Sequence, residues 1–288
     1  MQNATSRRQL GALAAPSLIF TVGMIAFPIL YTIWVSFHAS SATGQLRFNG
    51  LGSYARMIGD DRFWAGIWVT FYLYFLSLSL QLFFGTWLAL LLFNAKRLPG
   101  VVRSLFISPF MMPPVVAGMM WIVILDPSLG VANYLLTSVG LPPSTWLASP
   151  RWVVPTLALI DTWQWTPYVA LIVLGGLQSL PPGVYEAAEI DGAPRWKKLT
   201  RITLPLLLPT LVTAMVLRSV DLLRFFDLIY ITTQGGPADA SLTLNIYGIR
   251  TGFEFFQLGY AGALMITLSA IVLGAVIALN RLRAAVAW

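Results

Sequence analysis

Hydrophobic positions run in long unbroken stretches along this chain, and polar residues gather in the short intervals between them. Six stretches meet the roughly 20-residue requirement for a helix that crosses the hydrocarbon core of a bilayer: residues 13–37, 65–93, 104–125, 152–177, 202–224 and 259–280. They are continuous apolar runs without the strict alternation of barrel strands, so they predict helices. The expected fold class is therefore an all-α integral membrane protein with six transmembrane helices in a single domain over 1–288. With the N-terminus inside, the longer of the two inner connections is 178–201.

Composition agrees with that pattern. Of 288 residues, 57% are hydrophobic and 10% charged, against about 45–50% and about 25% in soluble domains. That leaves too little polar surface to cover a water-soluble globule, and disorder would need the opposite bias. The net charge of +7 is explained by topology. With the N-terminus inside, Arg7, Arg8, Lys96, Arg97, Arg103, Arg195, Lys197, Lys198, Arg201, Arg281 and Arg283 fall on the cytoplasmic side, and Arg47, Arg56, Arg62, Arg151 and Arg250 on the outer side. The excess predicts both termini inside and calls for no nucleic acid. Ser6-Arg7-Arg8-Gln9-Leu10 is superficially like a twin-arginine address. The apolar run after it is about twice a signal-peptide core, so an uncleaved first span is expected. There is no phosphate-binding G-x-x-x-x-G-K-[ST], no H-E-x-x-H, no G-x-S-x-G and no cysteine. Nothing resembles a nucleotide, metal or nucleophile site, and an enzyme is not expected.

The segment 178–201 is the most informative. Pro181 and Pro182 end the preceding helix and can start a new one. Glu186 to Glu189 favour helix, Gly192 can close it in the left-handed conformation, and Pro194 can open a second short helix with basic residues before Leu204-Pro205 leads into span five. By these residues alone, an interfacial hairpin anchoring Trp196 is as good a reading as a docking element.

The residues, however, resemble a known signature. Glu186-Ala187-Ala188, three residues to Gly192, then nine to Ile202-Thr203-Leu204-Pro205 is similar to the EAA loop of ABC importer permeases. Arg103-Ser-Leu-Phe-Ile-Ser-Pro-Phe-Met-Met-Pro-Pro-Val-Val116, Gly130-x-x-Asn133-Tyr134-Leu135, Trp163-Gln-Trp-Thr-Pro-Tyr168 and Phe226-Asp-Leu-Ile-Tyr-Ile-Thr-Thr-Gln-Gly-Gly-Pro237 resemble the maltose-type carbohydrate permeases of that class. The resemblance implies a type I ABC importer permease fold, without the large outer domain and extra N-terminal spans of some members. It implies a bacterial inner-membrane subunit that imports a sugar or sugar-like solute by alternating access. The implied partners are a second, non-identical permease, two ATP-binding cassette subunits that bind ATP and Mg, and a periplasmic solute-binding protein; no cofactor is implied in this chain. The loop would be the coupling helix, docking into the ATPase through Glu186, Ala187, Ala188, Glu189 and Gly192, with Ala187 and Ala188 allowing close approach.

Polar groups inside spans are costly and usually face a cavity or a partner. Span four offers Asp161, Gln164, Trp165 and Tyr168 at helical neighbour spacings, and span five Arg218, Asp221, Leu222, Arg224 and Phe225. Aromatic faces with polar tips suit sugar rings. The resemblance places Gln164, Trp165, Tyr168, Arg218, Asp221, Leu222 and Phe225 at positions where a family relative contacts maltose. Two readings of the charges stay open. Arg218–Asp221, Asp221–Arg224 and Arg224–Asp227 neutralise one another along one face, or Arg218 or Arg224 pairs with an anionic group on the substrate. Two other classes also stay open: a stand-alone proton-coupled secondary transporter using Asp161 and Asp221, and a non-transporting membrane scaffold.

Overall fold

The computed structural model describes residues 2–40, 45–95 and 100–286, without the side chains of 2–13, Arg103 and Val286. Lys96 and Arg97, and the side chains of Arg7, Arg8 and Arg103, lie outside the described residues.

In chain order the elements are α1 (Gln2–Ser36), the antiparallel pair β1 (His38–Ser40) and β2 (Leu46–Phe48), α2 (Gly52–Ile58), α3 (Asp61–Asn94), α4 (Gly100–Ile107), α5 (Pro114–Ile124), α6 (Val131–Ser138), α7 (Val153–Gln178), α8 (Pro182–Ile190), α9 (Arg195–Lys198), α10 (Leu204–Leu223), α11 (Asp227–Thr232), α12 (Leu244–Ile249) and α13 (Leu258–Val286). Five helical runs are long and apolar enough to span a membrane, and a bent pair makes a sixth. The small β pair, with His38 opposite Phe48, is the one departure from all-α structure among the described residues.

The third expected span, 104–125, is not one straight helix. Gly100–Met111 and Pro114–Ile124 meet at 99°. Pro109, Pro113 and Pro114 lack the amide hydrogens that would carry the ladder across the join. The fifth span also differs from expectation. The basic turn α9 does not stop before it but runs through a π-helical turn, Leu199–Thr203, into α10. Pro205 has no N–H to give to the preceding turn; the ladder widens there, and the Thr203 hydroxyl donates to the Lys198 carbonyl at 3.2 Å.

The chain divides into two compact units. The first, residues 1–60 and 248–267, holds α1, the β pair and α2, with Arg56 over the Tyr260 ring at 4.2 Å. The second, residues 61–247 and 268–288, holds the larger core. There α3 and α7 pack along their lengths, burying Leu88, Ala89 and Leu92 against Val169, Ala170, Val173 and Leu177, with Leu207 and Ala214 of α10 closing the cluster. The two helices meet closely at Gly85, where a Cβ would lie 2.6 Å from Cγ1 of Val169. Tyr74, Leu78, Leu222 and Leu223 form a second cluster.

Candidate functional site

Two places in the second unit gather the residues singled out by sequence: a charged cavity where α7 and α10 meet, and the hairpin after α7.

The cavity, of about 530 Å³, is lined by Asp161, Trp165, Arg218, Asp221, Arg224 and Phe225, together with Pro114, Phe226, Asp227 and Asn245. Its back wall is a buried charge network. Arg218 is only 1% exposed. Its Nε donates to Gln81 Oε1 at 2.8 Å, Nη2 to Asp161 Oδ2 at 3.3 Å and Nη1 to Asp221 Oδ2 at 3.4 Å. Its guanidinium carbon lies 4.2 Å from the Trp165 ring centroid. Gln81 Nε2 donates in turn to Asp161 Oδ2 at 2.5 Å. Helices α3, α7 and α10 each supply part of this network. An unpaired charge in hydrocarbon is costly, so each member keeps the others in place.

This geometry bears on several of the expected contacts. Arg218 is buried, and each of its three guanidinium nitrogens donates within the chain, to Gln81, Asp161 or Asp221. The pairs Arg218–Asp221 and Asp221–Arg224 (3.9 Å) exist. No ion pair joins Arg224 to Asp227 among the described residues; instead Arg224 Nε donates to the Val220 carbonyl at 3.1 Å. Asp221, Arg224 and Asp227 are the exposed charges of the cavity, the first two with side chains 50% and 57% exposed.

Gln164, Tyr168 and Leu222 do not line the cavity. Gln164 is buried, its amide donating to the Met112 carbonyl at 2.8 Å, a group next to the break in the third span. Tyr168 packs on Phe110 and Trp165 at centroid distances of 5.2 and 5.8 Å. Leu222 belongs to the cluster with Tyr74 and Leu78. The helical spacing places all three near the lining faces of their helices, but a rotation of about 60–100° separates a core position from a lining one. Gln81 was missed altogether. Its sequence signal was a lone amide in the apolar run 65–93. Asn245 was missed too; its side chain donates to the Arg224 carbonyl at 2.7 Å and holds the end of α10.

The hairpin is built as its residues dictate. Pro182 starts α8. Gly192 ends it with φ +67°, and Ala193 N–H donates back to the Ala188 carbonyl at 2.9 Å, the closing pattern glycine makes easy. Lys198 Nζ pairs with Glu189 at 2.9 Å, and the Tyr185 and Thr203 hydroxyls meet at 3.0 Å. These contacts fix α8 against the turn that leads into α10. Glu186, Ala187, Glu189 and Gly192 are exposed, whereas Ala188 is buried. Ala188 therefore serves packing within the chain, and Ala187 alone of the two alanines faces outward. It lies in line with Val184 and Ile190, the latter 87% exposed.

No group of histidine, cysteine, aspartate and glutamate among the described residues has the arrangement of a metal site.

The sequence model of the family described as "Binding-protein-dependent transport system inner membrane component" matches residues 81–286. Among curated relatives, the trehalose/maltose transport system permease protein MalF of Thermococcus litoralis is 34% identical over 248 residues, 86% of this chain and 83% of that one. The sulfoquinovosyl glycerol transport system permease protein SmoG of Agrobacterium fabrum is 33% identical over 261 residues, covering 90% and 85%. Among solved structures, a chain of a bacterial ABC transporter involved in the import of the acidic polysaccharide alginate superposes with a TM-score of 0.85 at 24% identity, over 100% of this chain and 99% of that one. The fold is that of a type I importer permease. The chain thus belongs to the family of binding-protein-dependent transport system inner membrane components, as a multi-pass permease subunit of an ABC importer.

Proposed function

We propose that this chain forms one half of the membrane pathway of a bacterial inner-membrane importer for a sugar or sugar-like solute, with both termini cytoplasmic. The observation that carries the reading is the cavity at Trp165, Asp221 and Arg224: an aromatic face beside the accessible carboxylates of Asp221 and Asp227 and the accessible guanidinium of Arg224. A sugar presents apolar C–H faces edged by hydroxyls that donate and accept, and such a wall offers a partner for each.

The charge inventory sharpens the substrate class. Asp161 and Arg218 cancel within the buried network. Of the remaining lining charges, Asp221 and Asp227 are acidic and Arg224 is basic. The accessible wall is thus not cationic, which favours a neutral, hydroxyl-rich solute over a sulfonate or uronate. Two similar relatives are named for both kinds: trehalose/maltose for one, sulfoquinovosyl glycerol for the other.

Transport is completed by partners. A second permease supplies the other half of the pathway, a periplasmic binding protein delivers the solute, and two cytoplasmic ATPase subunits hold ATP and Mg. The exposed row Val184, Ala187 and Ile190 on α8 is the surface offered to an ATPase subunit, with Gly192 fixing the turn behind it. Closure of the ATPase pair pulls on this hairpin. Because α9 runs without a break into α10, that pull reaches the helix bearing Arg218 and Asp221. The two conformations are selected by differential affinity for ATP and the loaded binding protein.

The test of substrate class is ATP-dependent uptake by the assembled importer in proteoliposomes, with neutral disaccharides and hexuronates or sulfo-sugars offered in parallel. Uptake of the neutral sugars supports the charge inventory; exclusive uptake of the acidic ones refutes it.

A further inference from the structure

The second unit contains another cavity, unrelated to the charged one, beneath the hairpin where α3 and α7 end. It measures about 670 Å³. Its floor is apolar, from Leu90, Phe93 and Leu177, and its rim is basic, from Arg195 and Lys198, with the Tyr185 hydroxyl alongside. Both long helices change from apolar to polar at this level, at Phe93–Asn94 on α3 and Leu177–Gln178 on α7. The cavity therefore opens at the boundary between hydrocarbon and headgroups. Trp196, 61% exposed, stands next to the rim with Lys197 over its ring at 5.9 Å, an interfacial anchor of the usual kind.

The rim charges do not balance. Lys198 is sheltered and pairs with Glu189 at 2.9 Å. Arg195 is exposed and makes no ion pair among the described residues. The three groups leave one positive charge over an apolar floor. A phosphodiester supplies the missing negative charge, a guanidinium fork suits its oxygens, and the attached acyl chain suits Leu90 and Phe93. Basic pockets between membrane helices are a general seat for anionic headgroups.

We propose that this cavity binds the headgroup of an anionic phospholipid, with Arg195 and Lys198 on the phosphate. Glu189 then competes with the lipid for Lys198. The lipid would also touch α8, α9 and the ends of α3 and α7 at once, so its binding would stiffen the hairpin against the membrane helices.

The test is native mass spectrometry of the purified full-length chain titrated with phosphatidylglycerol or phosphatidylcholine of matched acyl chains. The one uncompensated positive charge predicts a preference of about fivefold for phosphatidylglycerol. The double variant Arg195→Gln/Lys198→Gln should lose most of that preference. Glu189→Gln, which frees Lys198, should increase it, and a gain of binding is not an outcome of misfolding. Equal binding of the two lipids, an unchanged preference in the double variant, or no gain in Glu189→Gln would overturn the proposal. So would displacement of the bound lipid by inorganic phosphate alone, which would assign the rim to a free oxyanion.

Discussion

Arg218 of α10 donates its Nε hydrogen to the side-chain oxygen of Gln81, 137 residues earlier on α3, at 2.8 Å. The opposite end of the same amide donates to Asp161 on α7. A single neutral residue thus bridges a buried guanidinium and a buried carboxylate that also pair directly at 3.3 Å. In a medium without water, the arrangement works only when complete, because each part left alone is an unsatisfied donor, acceptor or charge.

Gln81→Leu should therefore destabilise the folded chain by about 1–3 kcal/mol, the cost of stranding buried polar groups. Thermal inactivation in detergent measures it. The ion pair itself should show strong coupling: Asp161→Asn and Arg218→Gln each lower folded yield sharply, while the double variant recovers part of the loss, since removing one partner of a buried pair costs more than removing both. Additive losses would mean that Asp161 and Arg218 do not depend on each other.

At the cavity, Arg224→Gln should leave expression and thermal stability near the wild-type level, because its side chain is 57% exposed. Its effect should fall on uptake and on substrate-stimulated ATP hydrolysis. Trp165→Ala should lower sugar uptake up to about tenfold, on the scale of one lost aromatic contact. It should also cost some stability by removing the ring beneath Arg218. If Trp165→Phe restores stability but not uptake, the ring's indole edge belongs to the substrate contact.

Gly192 offers a test that separates backbone from surface. Its φ of +67° costs an ordinary L-residue roughly 1–2 kcal/mol, whereas asparagine tolerates that region better. Gly192→Asn should retain more substrate-stimulated ATPase than Gly192→Val, and both variants should remain inserted in the membrane. Equal loss in the two would indicate that bulk at the docking surface, not the shape of the turn, decides coupling.

Asp126, just after α5, holds the turn into α6: its Oδ1 accepts from the N–H groups of Leu129 at 2.8 Å and Ser128 at 2.9 Å. Those donors, Leu129 first, hold its carboxyl below the ordinary value of 3.8. A depressed folded-state value means the contribution is present above the unfolded value and is lost as pH falls through the folded one. Hydrogen exchange of the Leu129 amide should therefore stay constant in neutral and mildly acidic buffer once corrected for intrinsic rates. Its protection should fall only below about 3.8. Asp126→Ala should remove that protection at every pH.

The spans were legible in the sequence because each needs only a long apolar run, and the hairpin because prolines and a glycine punctuate it. The break in the third span was less so. Pro109, Pro113 and Pro114 were visible, but proline in a membrane helix is compatible with either a kink or a break until tertiary partners for the freed carbonyls are known, here Gln164. In the cavity, local spacing found Arg218 with Asp221, three residues apart. It did not find Arg218 with Asp161 or Gln81, because pairing across 57 and 137 residues is set by how three helices pack. The same limit applies to Ala188 and Leu222, both buried: period alone identifies a face, and packing decides what covers it.

We propose that solute crosses beside Trp165, Asp221 and Arg224 only when ATP hydrolysis outside this chain acts through the α8–Gly192 hairpin. It is tested most directly by sugar uptake into proteoliposomes holding this chain, its partner permease and the ATPase subunits, with the loaded binding protein supplied. Uptake should require ATP and binding protein, persist when the proton gradient is collapsed, and be abolished by Ile190→Asp on the exposed face of α8. Uptake by the permeases alone, driven by a proton gradient without ATPase subunits, would contradict it.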